Sequence, residues 1–225
     1  MAEGGAAPGG VALQGSLWAA TEPDVDESFA TLVRHPLRRG AWVDHQPDWV
    51  SGADTLFDRV AERFDWHAGR RWMYEREVDE PRLTARLEDG DLTTLPVLPR
   101  ITAALGRRYG TTFPGCWANF YRDGRDSVAW HGDRVARERL TALVVIVSLG
   151  ERRRFLLRPA GGGPSTRFDL GRGDLLVMGG TCQRTWQHAV PKSTGAGPRI
   201  SLTFRPPGQS TSTRPGRWRR VGPDD

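Results

Sequence analysis

The second half of the chain alternates between hydrophobic and polar positions in short segments. Turn residues separate these segments, for example Asp123-Gly124 and the Gly-Gly-Gly-Pro run at 161–164. Alternation with a period of two is typical of strands with one buried face, and regularly spaced short strands indicate a sandwich or jelly roll. The pattern predicts strands over Cys116–Tyr121, Ser127–His131, Thr141–Leu149, Arg154–Leu157, Thr166–Leu170, Asp174–Met178, Arg184–Val190 and Arg199–Arg205.

The first half of the chain shows the helical period more clearly. Apolar residues at helical spacing predict an amphipathic helix over 53–64 and a second helix over 95–109, which Gly110 ends. Between the two helices, the aromatic residues Trp72 and Tyr74 stand two positions apart, as on one face of a strand, and predict one strand over 70–78. Helices that precede a run of short strands favour an α+β fold, with the helices packed on one sheet of the β core.

Length and composition fit one globular domain with loose ends. The chain has 225 residues, of which 38% are hydrophobic and 26% charged. Residues 1–15 are rich in Gly and Ala and read as a flexible leader, and residues 207–225 read as a flexible basic tail. We therefore expect a single domain over 16–206, with a helical part at 16–112 and a β core at 113–206.

The apolar runs, the cysteines and the net charge of the chain exclude some classes of protein and leave others open. An apolar run of about 18 residues is absent, so we expect no membrane span, and the first residues do not resemble a signal peptide. Two cysteines make no disulfide framework, which favours the cytoplasm. The net charge of +5 fits a nucleic-acid partner. Since Lys192 is the only lysine, a GC-rich genome explains the arginine excess equally well.

Two histidines and one aspartate form a candidate metal site. His131 and Asp133 end a predicted strand as His-x-Asp, so both side chains point to the same side. His188 ends a later strand. Two imidazoles and one carboxylate make the facial triad of non-haem Fe(II) oxygenases, which leaves open positions for a cosubstrate and O2. A chance His-x-Asp followed by an unrelated histidine is the alternative.

The last predicted strand carries a candidate anion site. Arg199, Ser201, Thr203 and Arg205 share one face, and the residues between them are apolar. Two arginines on one face of a barrel strand are costly unless an anion meets them, and 2-oxoglutarate is a dicarboxylate that can do so. An exposed sheet face with two solvated arginines is the alternative. On an earlier strand, the side chains of Asn119 and Tyr121 point to one side and can donate hydrogen bonds to the same cosubstrate.

Taken in order, these motifs resemble the AlkB family of Fe(II)/2-oxoglutarate-dependent dioxygenases. The family pattern is Asn-x-Tyr, His-x-Asp, a distal His and Arg-x-(Asn/Ser)-(Leu/Val)-Thr-Phe-Arg. Here it reads Asn119-Phe-Tyr121, His131-Gly-Asp133, Trp186-Gln-His188 and Arg199-Ile-Ser201-Leu-Thr-Phe-Arg205. The resemblance is strong over 117–206. It is fainter near Glu80-Pro-Arg-Leu-Thr84, which looks like a stretch before a substrate lid.

The resemblance implies a fold, a site and a reaction. The implied fold is a double-stranded β-helix, or jelly roll, with N-terminal helices and a nucleotide-recognition lid built from 16–112. The implied iron ligands are His131, Asp133 and His188. Arg199 with Tyr121 is expected to bind the C5 carboxylate of 2-oxoglutarate, and Arg205 with Asn119 to lie near its C1 carboxylate; Ser201 shares this cosubstrate site. The implied reaction is oxidative demethylation of alkylated bases in DNA or RNA, of the N1-methyladenine or N3-methylcytosine type. It releases formaldehyde, succinate and CO2.

Two departures from the family pattern leave the substrate open. Val135 stands where many members have an acidic residue that contacts the base, and Ala85-Arg-Leu87 replaces an aromatic run. Trp72 and Tyr74 are the candidates for stacking on the base, unless they are core residues. Arg134, with Arg137 and Arg139, is the candidate for phosphate contact, unless the cluster is merely solvated. An oxygenase acting on protein, lipid or tRNA and a non-catalytic nucleic-acid-binding jelly roll remain the rival functions. We expect a monomer.

Overall fold

A computed structural model describes residues 21–73, 76–88, 92–133, 140–209 and 219–220, with the backbone alone at 70–73, 76–80, 88 and 219–220. Strands dominate these residues. The helices are α1 (Ala53–Arg63), α2 (Val97–Tyr109) and the short α3 (Cys182–Thr185), with a 3-10 turn at Arg38–Gly40. The strands are β1 (Asp24–Val25), β2 (Val33–Pro36), β3 (Ala41–Gln46), β4 (Val50–Ser51), β5 (His67–Met73), β6 (Arg76–Glu88), β7 (Gly115–Tyr121), β8 (Val128–His131), β9 (Val144–Gly150), β10 (Arg153–Pro159), β11 (Thr166–Leu170), β12 (Asp174–Gly180), β13 (Trp186–Val190), β14 (Arg199–Phe204) and β15 (Arg219–Arg220).

Two antiparallel sheets form the body of the fold. The large sheet has nine strands in the order β15-β5-β6-β7-β14-β9-β12-β3-β2, and the small sheet has four in the order β11-β10-β13-β8. Strands β1 and β4 make a separate pair. Every strand of the predicted β core is present, and the predicted jelly roll is confirmed. The predicted nucleotide-recognition lid remains a prediction.

The two faces of the large sheet bury different cores because strand residues alternate in direction. On β14, Ile200, Leu202 and Phe204 join α1 and α2 in one buried cluster. On the neighbouring β9, Val144 and Ile146 face the other way and pack with residues of the small sheet. The helices therefore cover one face of the large sheet, as the sequence predicts, and the interior between the sheets is left for the site.

The helices follow from their apolar spacing and their ends. In α1, Ala53, Leu56 and Val60 make one buried stripe, and the helix packs on β9 and β14. Helix α2 ends at Tyr109 and is capped by Gly110, whose φ of 66° lies in the left-handed region that glycine adopts at low cost. The Gly110 amide donates to the carbonyl of Gly106 across 2.9 Å. Both predicted helices are confirmed to within two residues.

The first half of the chain contains more strands than its pattern indicates. Strands β2, β3, β5 and β6 all belong to the large sheet, so residues 16–112 are not chiefly helical. The predicted single strand over 70–78 is wrong, because β5 and β6 pair as antiparallel neighbours with Met73 opposite Arg76. The sequence there, Arg-Trp-Met-Tyr-Glu-Arg, has none of the usual turn residues, so its pattern does not mark the division.

The predicted chain ends are described only in small part. The leader at 1–15 lies outside the described residues. Within the predicted tail, Arg219 and Arg220 form β15 and pair with Ala68 and His67 of β5. None of the helices in the described ranges is long and apolar enough to cross a membrane.

Candidate metal and cosubstrate site

The three predicted metal ligands meet on the inner face of the small sheet. His131 on β8 lies directly opposite His188 on β13, and their ring centroids are 4.2 Å apart. Asp133 follows β8, and its Oδ1 lies 3.9 Å from Nε2 of His131. One ligand atom from each of the three residues lies within 4.8 Å of the others. Strand pairing thus brings together residues that are far apart in the sequence.

The tautomer of His131 is set by its own strand. Its Nδ1 lies 2.8 Å from the carbonyl oxygen of Ala129. Because a carbonyl only accepts hydrogen bonds, Nδ1 carries the proton and donates it. The lone pair therefore resides on Nε2, the nitrogen that faces Asp133 and is available to a metal ion.

His188 is buried and held in its neutral form. Its ring stacks on Phe155 at 5.4 Å between centroids with 19° between planes. Burial, with smaller contributions from His131 and Arg205, lowers the pKa of His188 to about 3, against the opposing effect of Asp133. A neutral imidazole is the form that binds a metal ion, so His188 needs no deprotonation at neutral pH.

Asp133 is held by two neighbours that the sequence does not identify as its partners. Arg205 donates two hydrogen bonds to Oδ2, from Nη2 at 2.6 Å and Nε at 3.2 Å. The side-chain carbonyl of Gln183 accepts the backbone N–H of Asp133 at 3.1 Å. Burial raises the pKa of Asp133, but Arg205 and the two histidines outweigh it, so the net pKa is lowered. Asp133 is therefore an ionised carboxylate with Oδ1 left for a metal.

This arrangement changes the role that the sequence predicts for Arg205. Its guanidinium meets the ligand Asp133, an anion of the chain itself, so it is not held free for the cosubstrate alone. Its expected position near the C1 carboxylate of the cosubstrate stays a prediction. Two imidazoles and one carboxylate whose ligand atoms lie within 4.8 Å of one another fit Fe(II) with open positions.

Arg199 occupies the other end of the inner face of β14. It pairs with Tyr121 across the sheet, and Ser201 pairs with Asn119 in the same way. Arg199 is 1% exposed, and its Nε donates to Oγ of Ser148 at 2.8 Å. Its Nη1 is buried with no hydrogen-bond partner in the described part of the chain. Burial lowers the pKa of Arg199. A buried cation with an unused donor fits the carboxylate expected there.

Asn119 is oriented by a residue that the sequence points to only indirectly. Nε of Arg82 on β6 donates to Oδ1 of Asn119 at 2.9 Å, so the amide nitrogen of Asn119 remains a donor for another group. Arg82 belongs to the Pro81-Arg-Leu-Thr84 stretch of the AlkB-like pattern. That motif is the one signal for Arg82, whereas Gln183 has none in the sequence.

The predicted substrate contacts are not placed by the structure. Tyr74, Arg134 and Val135 lie outside the described residues, as do Arg137 and Arg139, and Trp72 is described by its backbone alone. In the stretch that replaces an aromatic run, Ala85 and Leu87 are buried in the helix-side core. Arg86 lies over the ring of Trp117, 5.1 Å from its centroid. The roles of Trp72, Tyr74 and Arg134 stay predictions.

Comparisons with known proteins agree with the motifs. Residues 42–205 match the family model of the 2OG-Fe(II) oxygenase superfamily. The chain is 31% identical over 174 residues to "Alpha-ketoglutarate-dependent dioxygenase alkB homolog 3" of Rattus norvegicus, covering 68% of this chain and 59% of that protein. It is 31% identical over 191 residues to "DNA oxidative demethylase ALKBH2" of Arabidopsis thaliana, covering 67% and 61%. The chain thus spans about three-fifths of the length of these relatives.

A solved structure supports the fold. A 2OG-Fe(II) oxygenase family oxidoreductase from Burkholderia pseudomallei superposes with a TM-score of 0.51 at 18% identity, covering 72% of this chain and 84% of that one. The family name itself states Fe(II) and 2-oxoglutarate, whose partner in the reaction is O2, and this confirms the cofactor prediction. The chain belongs to the 2OG-Fe(II) oxygenase superfamily and is a homologue of its AlkB-type dioxygenases.

Proposed function

We propose that this protein is an Fe(II)/2-oxoglutarate-dependent dioxygenase that oxidatively demethylates alkylated bases in DNA or RNA. The observation that supports the oxygenase part is that a candidate metal site and a candidate carboxylate site both lie between the two sheets. The triad His131, Asp133 and His188 lies at one end, and the buried, incompletely bonded Arg199 lies near Tyr121 at the other. A 2-oxoacid with a distal carboxylate fits both sites, because its 2-oxoacid end can chelate the metal and its distal carboxylate can meet Arg199.

The chain's own residues supply binding and orientation in this reaction. Iron with 2-oxoglutarate and O2 supplies the oxidising chemistry, in which a methyl group on a base nitrogen is hydroxylated and lost as formaldehyde while succinate and CO2 form. His131, Asp133 and His188 would hold the metal. Arg205 keeps Asp133 ionised and oriented, and Arg199 would anchor the distal carboxylate. A general base from the protein is not required.

The nucleic-acid part of the proposal rests on relatives and charge. Two of the similar proteins are named as an alkB homolog and as a DNA oxidative demethylase. The net charge of +5 is compatible with a polyanionic partner. The test is formaldehyde release from a panel of oligonucleotides that each carry one methylated base, as DNA and RNA and as single and double strands. We expect release from at least one N1-methyladenine or N3-methylcytosine substrate and none from the unmethylated oligonucleotide of the same sequence.

Succinate measured in the same reactions separates the rival functions. His188→Ala serves as the inactive control, and His35→Ala, which changes a histidine outside the triad, as the matched active one. Methyl-dependent succinate without formaldehyde would contradict demethylation. Background succinate that no methylated oligonucleotide stimulates would favour an oxygenase with a protein, lipid or tRNA substrate. Oligonucleotide binding without any succinate would favour a non-catalytic module.

A further inference from the structure

A second buried arginine lies beside the candidate cosubstrate anchor. Arg153, the first residue of β10, is 2% exposed and lies on the same face of that strand as Phe155 and Leu157, which pack between the sheets. Its guanidinium donates to three backbone carbonyls: Nη1 to Asp123 at 3.0 Å, and Nη2 to Asp126 at 2.8 Å and Pro191 at 2.9 Å. Among the described residues, its Nε is buried without a hydrogen-bond partner. The carboxylates of Asp126 and Asp123 favour its charged form from a distance, but they form their ion pairs with Arg122 and Arg125 and not with Arg153.

Arg153 and Arg199 are linked through one aromatic ring. The guanidinium carbon of Arg153 lies 5.7 Å from the ring centroid of Tyr121, and that of Arg199 lies 5.1 Å from it. Tyr121 is itself buried. Burial lowers the pKa of both arginines, which shows that each positive charge is poorly solvated. Among the described residues, two buried cations thus share one phenol and leave two donor nitrogens, Nε of Arg153 and Nη1 of Arg199, without a hydrogen-bond partner.

Such an arrangement costs free energy unless an anion completes it. A buried positive charge without a counterion is among the most costly features of a protein interior, and each unused buried donor adds to the cost. The three carbonyls solvate one edge of the Arg153 guanidinium, and the nearby carboxylates of Asp126 and Asp123 offset its burial only in part, since the net pKa of Arg153 is lowered. The region around Tyr121 therefore has more positive charge than one carboxylate-binding arginine would supply.

We propose that Arg153 is a positioning residue of the cosubstrate site, which orients Tyr121 and supplies the second positive charge that the distal carboxylate of 2-oxoglutarate meets. With two cations around one phenol, the site discriminates strongly in favour of 2-oxoacids that carry a distal carboxylate. The proposal concerns the cosubstrate and does not depend on which macromolecule is oxidised. The competing account is purely structural: Arg153 ties the 123–126 turn to Pro191 and has no effect on ligand charge.

A comparison of two ligands separates these accounts. 2-Oxoglutarate and 2-oxopentanoate have the same five-carbon chain, but only the first has the distal carboxylate. Dissociation constants of both are measured by calorimetry with oxygen-free protein loaded with Mn(II), so that no turnover occurs. In Arg153→Gln we expect 2-oxoglutarate to bind at least 10-fold more weakly and 2-oxopentanoate to bind within 2-fold of the unchanged protein. Arg153→Lys, which keeps the charge, should recover part of the lost discrimination.

The matched control disturbs the same turn without removing a buried positive charge. Asp126→Asn weakens the Arg122–Asp126 ion pair, whose Nε–Oδ2 distance is 3.0 Å, and leaves the Asp126 carbonyl in place for Arg153. We expect it to keep the preference for 2-oxoglutarate.

Three results would each overturn the proposal. These are equally weakened binding of both ligands in Arg153→Gln, unchanged 2-oxoglutarate binding in Arg153→Gln, and the same loss of 2-oxoglutarate binding in Asp126→Asn. If Arg153→Gln does not fold, Arg153→Lys decides, because lysine keeps the charge but cannot make the three carbonyl contacts together. A preference for 2-oxoglutarate over 2-oxopentanoate that is largely kept in Arg153→Lys supports a role for the charge, and loss of that preference overturns the proposal. Failure of the demethylation assay would leave these binding results untouched.

Discussion

His131 and His188 lie opposite each other on neighbouring antiparallel strands, with their imidazole centroids 4.2 Å apart. Strand β8, which carries His131, is the edge of the small sheet, and it is registered to β13 through this pair and through Val128 with Val190. The register shifts between the two pairs. The position of the first metal ligand therefore depends on a short stretch of edge-strand pairing, supported by the contacts of the residues that follow it.

Replacement of His188 by Ala is expected to abolish iron binding and turnover while the protein stays folded. Iron binding is lost because the triad loses one of its three ligands. The fold is kept because Phe155, which stacks on the His188 ring, still packs in that part of the interior. Iron content and succinate formation measure the loss, and circular dichroism checks the fold. His35→Ala should keep both iron and turnover. Stoichiometric iron with near-normal activity in His188→Ala would show that another residue is the ligand.

Replacement of Asp133 by Ala is expected to lower stability as well as remove iron. Arg205 is paired to Asp133 at 2.6 Å, and its side chain is only 13% exposed, so the substitution leaves an unpaired, mostly buried charge. Breaking such a pair from one side costs roughly 3–5 kcal/mol when it is fully buried, and this figure is an upper bound here. Urea unfolding of metal-free protein measures the effect. The double variant Asp133→Ala/Arg205→Met should recover part of the loss, and equal stability of the two variants would contradict the explanation.

Replacement of Arg199 by Met is expected to separate cosubstrate binding from stability. The fully buried guanidinium has an unused Nη1, so a hydrophobic residue of similar length removes a desolvation cost in the ligand-free protein. At the same time the distal carboxylate loses a charge-assisted pair worth about 1.5–3 kcal/mol, or roughly 10-fold to 150-fold in the KM for 2-oxoglutarate. We expect an unchanged or higher Tm, a raised KM, and oligonucleotide affinity close to normal. A normal KM with lost oligonucleotide binding would assign Arg199 to the nucleic acid instead.

Replacement of Gly132 by Ala is expected to weaken iron binding through the backbone. Gly132 separates the ligands His131 and Asp133, and a Cβ added there would lie 2.8 Å from the carbonyl oxygen of Gln183. Because that contact is with backbone, the ligand segment must shift, and we expect at least a 10-fold loss of iron affinity (about 1.4 kcal/mol). Metal titration of the apoprotein measures it. Gly197→Ala, whose added Cβ would meet its nearest atom at 3.7 Å, is the control and should bind iron normally. Normal iron affinity in Gly132→Ala would show that the segment adapts without loss.

The residues of β14 show how far local pattern reaches. Strict alternation over Arg199–Arg205 predicts which side chains share a face, and the structure places Ile200, Leu202 and Phe204 in the helix-side core as expected. The same alternation puts Asn119 and Tyr121 on one side of β7, and they pair with Ser201 and Arg199. Most strand bounds of the β core were predictable for the same reason, since turn residues mark their ends.

By itself, the sequence determined the ligand triad, the shared faces of β7 and β14 and the family, because these depend on residue types at short spacing and on the period of a strand. The tertiary structure alone decided which charges meet. Arg205 pairs with Asp133, 72 residues away in the sequence. Arg82 pairs with Asn119, 37 residues away, and Arg153 lies by Tyr121, 32 residues away. It also divided 70–78 between two strands. The physical reason is that strand order and register bring distant residues together, and neither leaves a periodic signal in the local sequence.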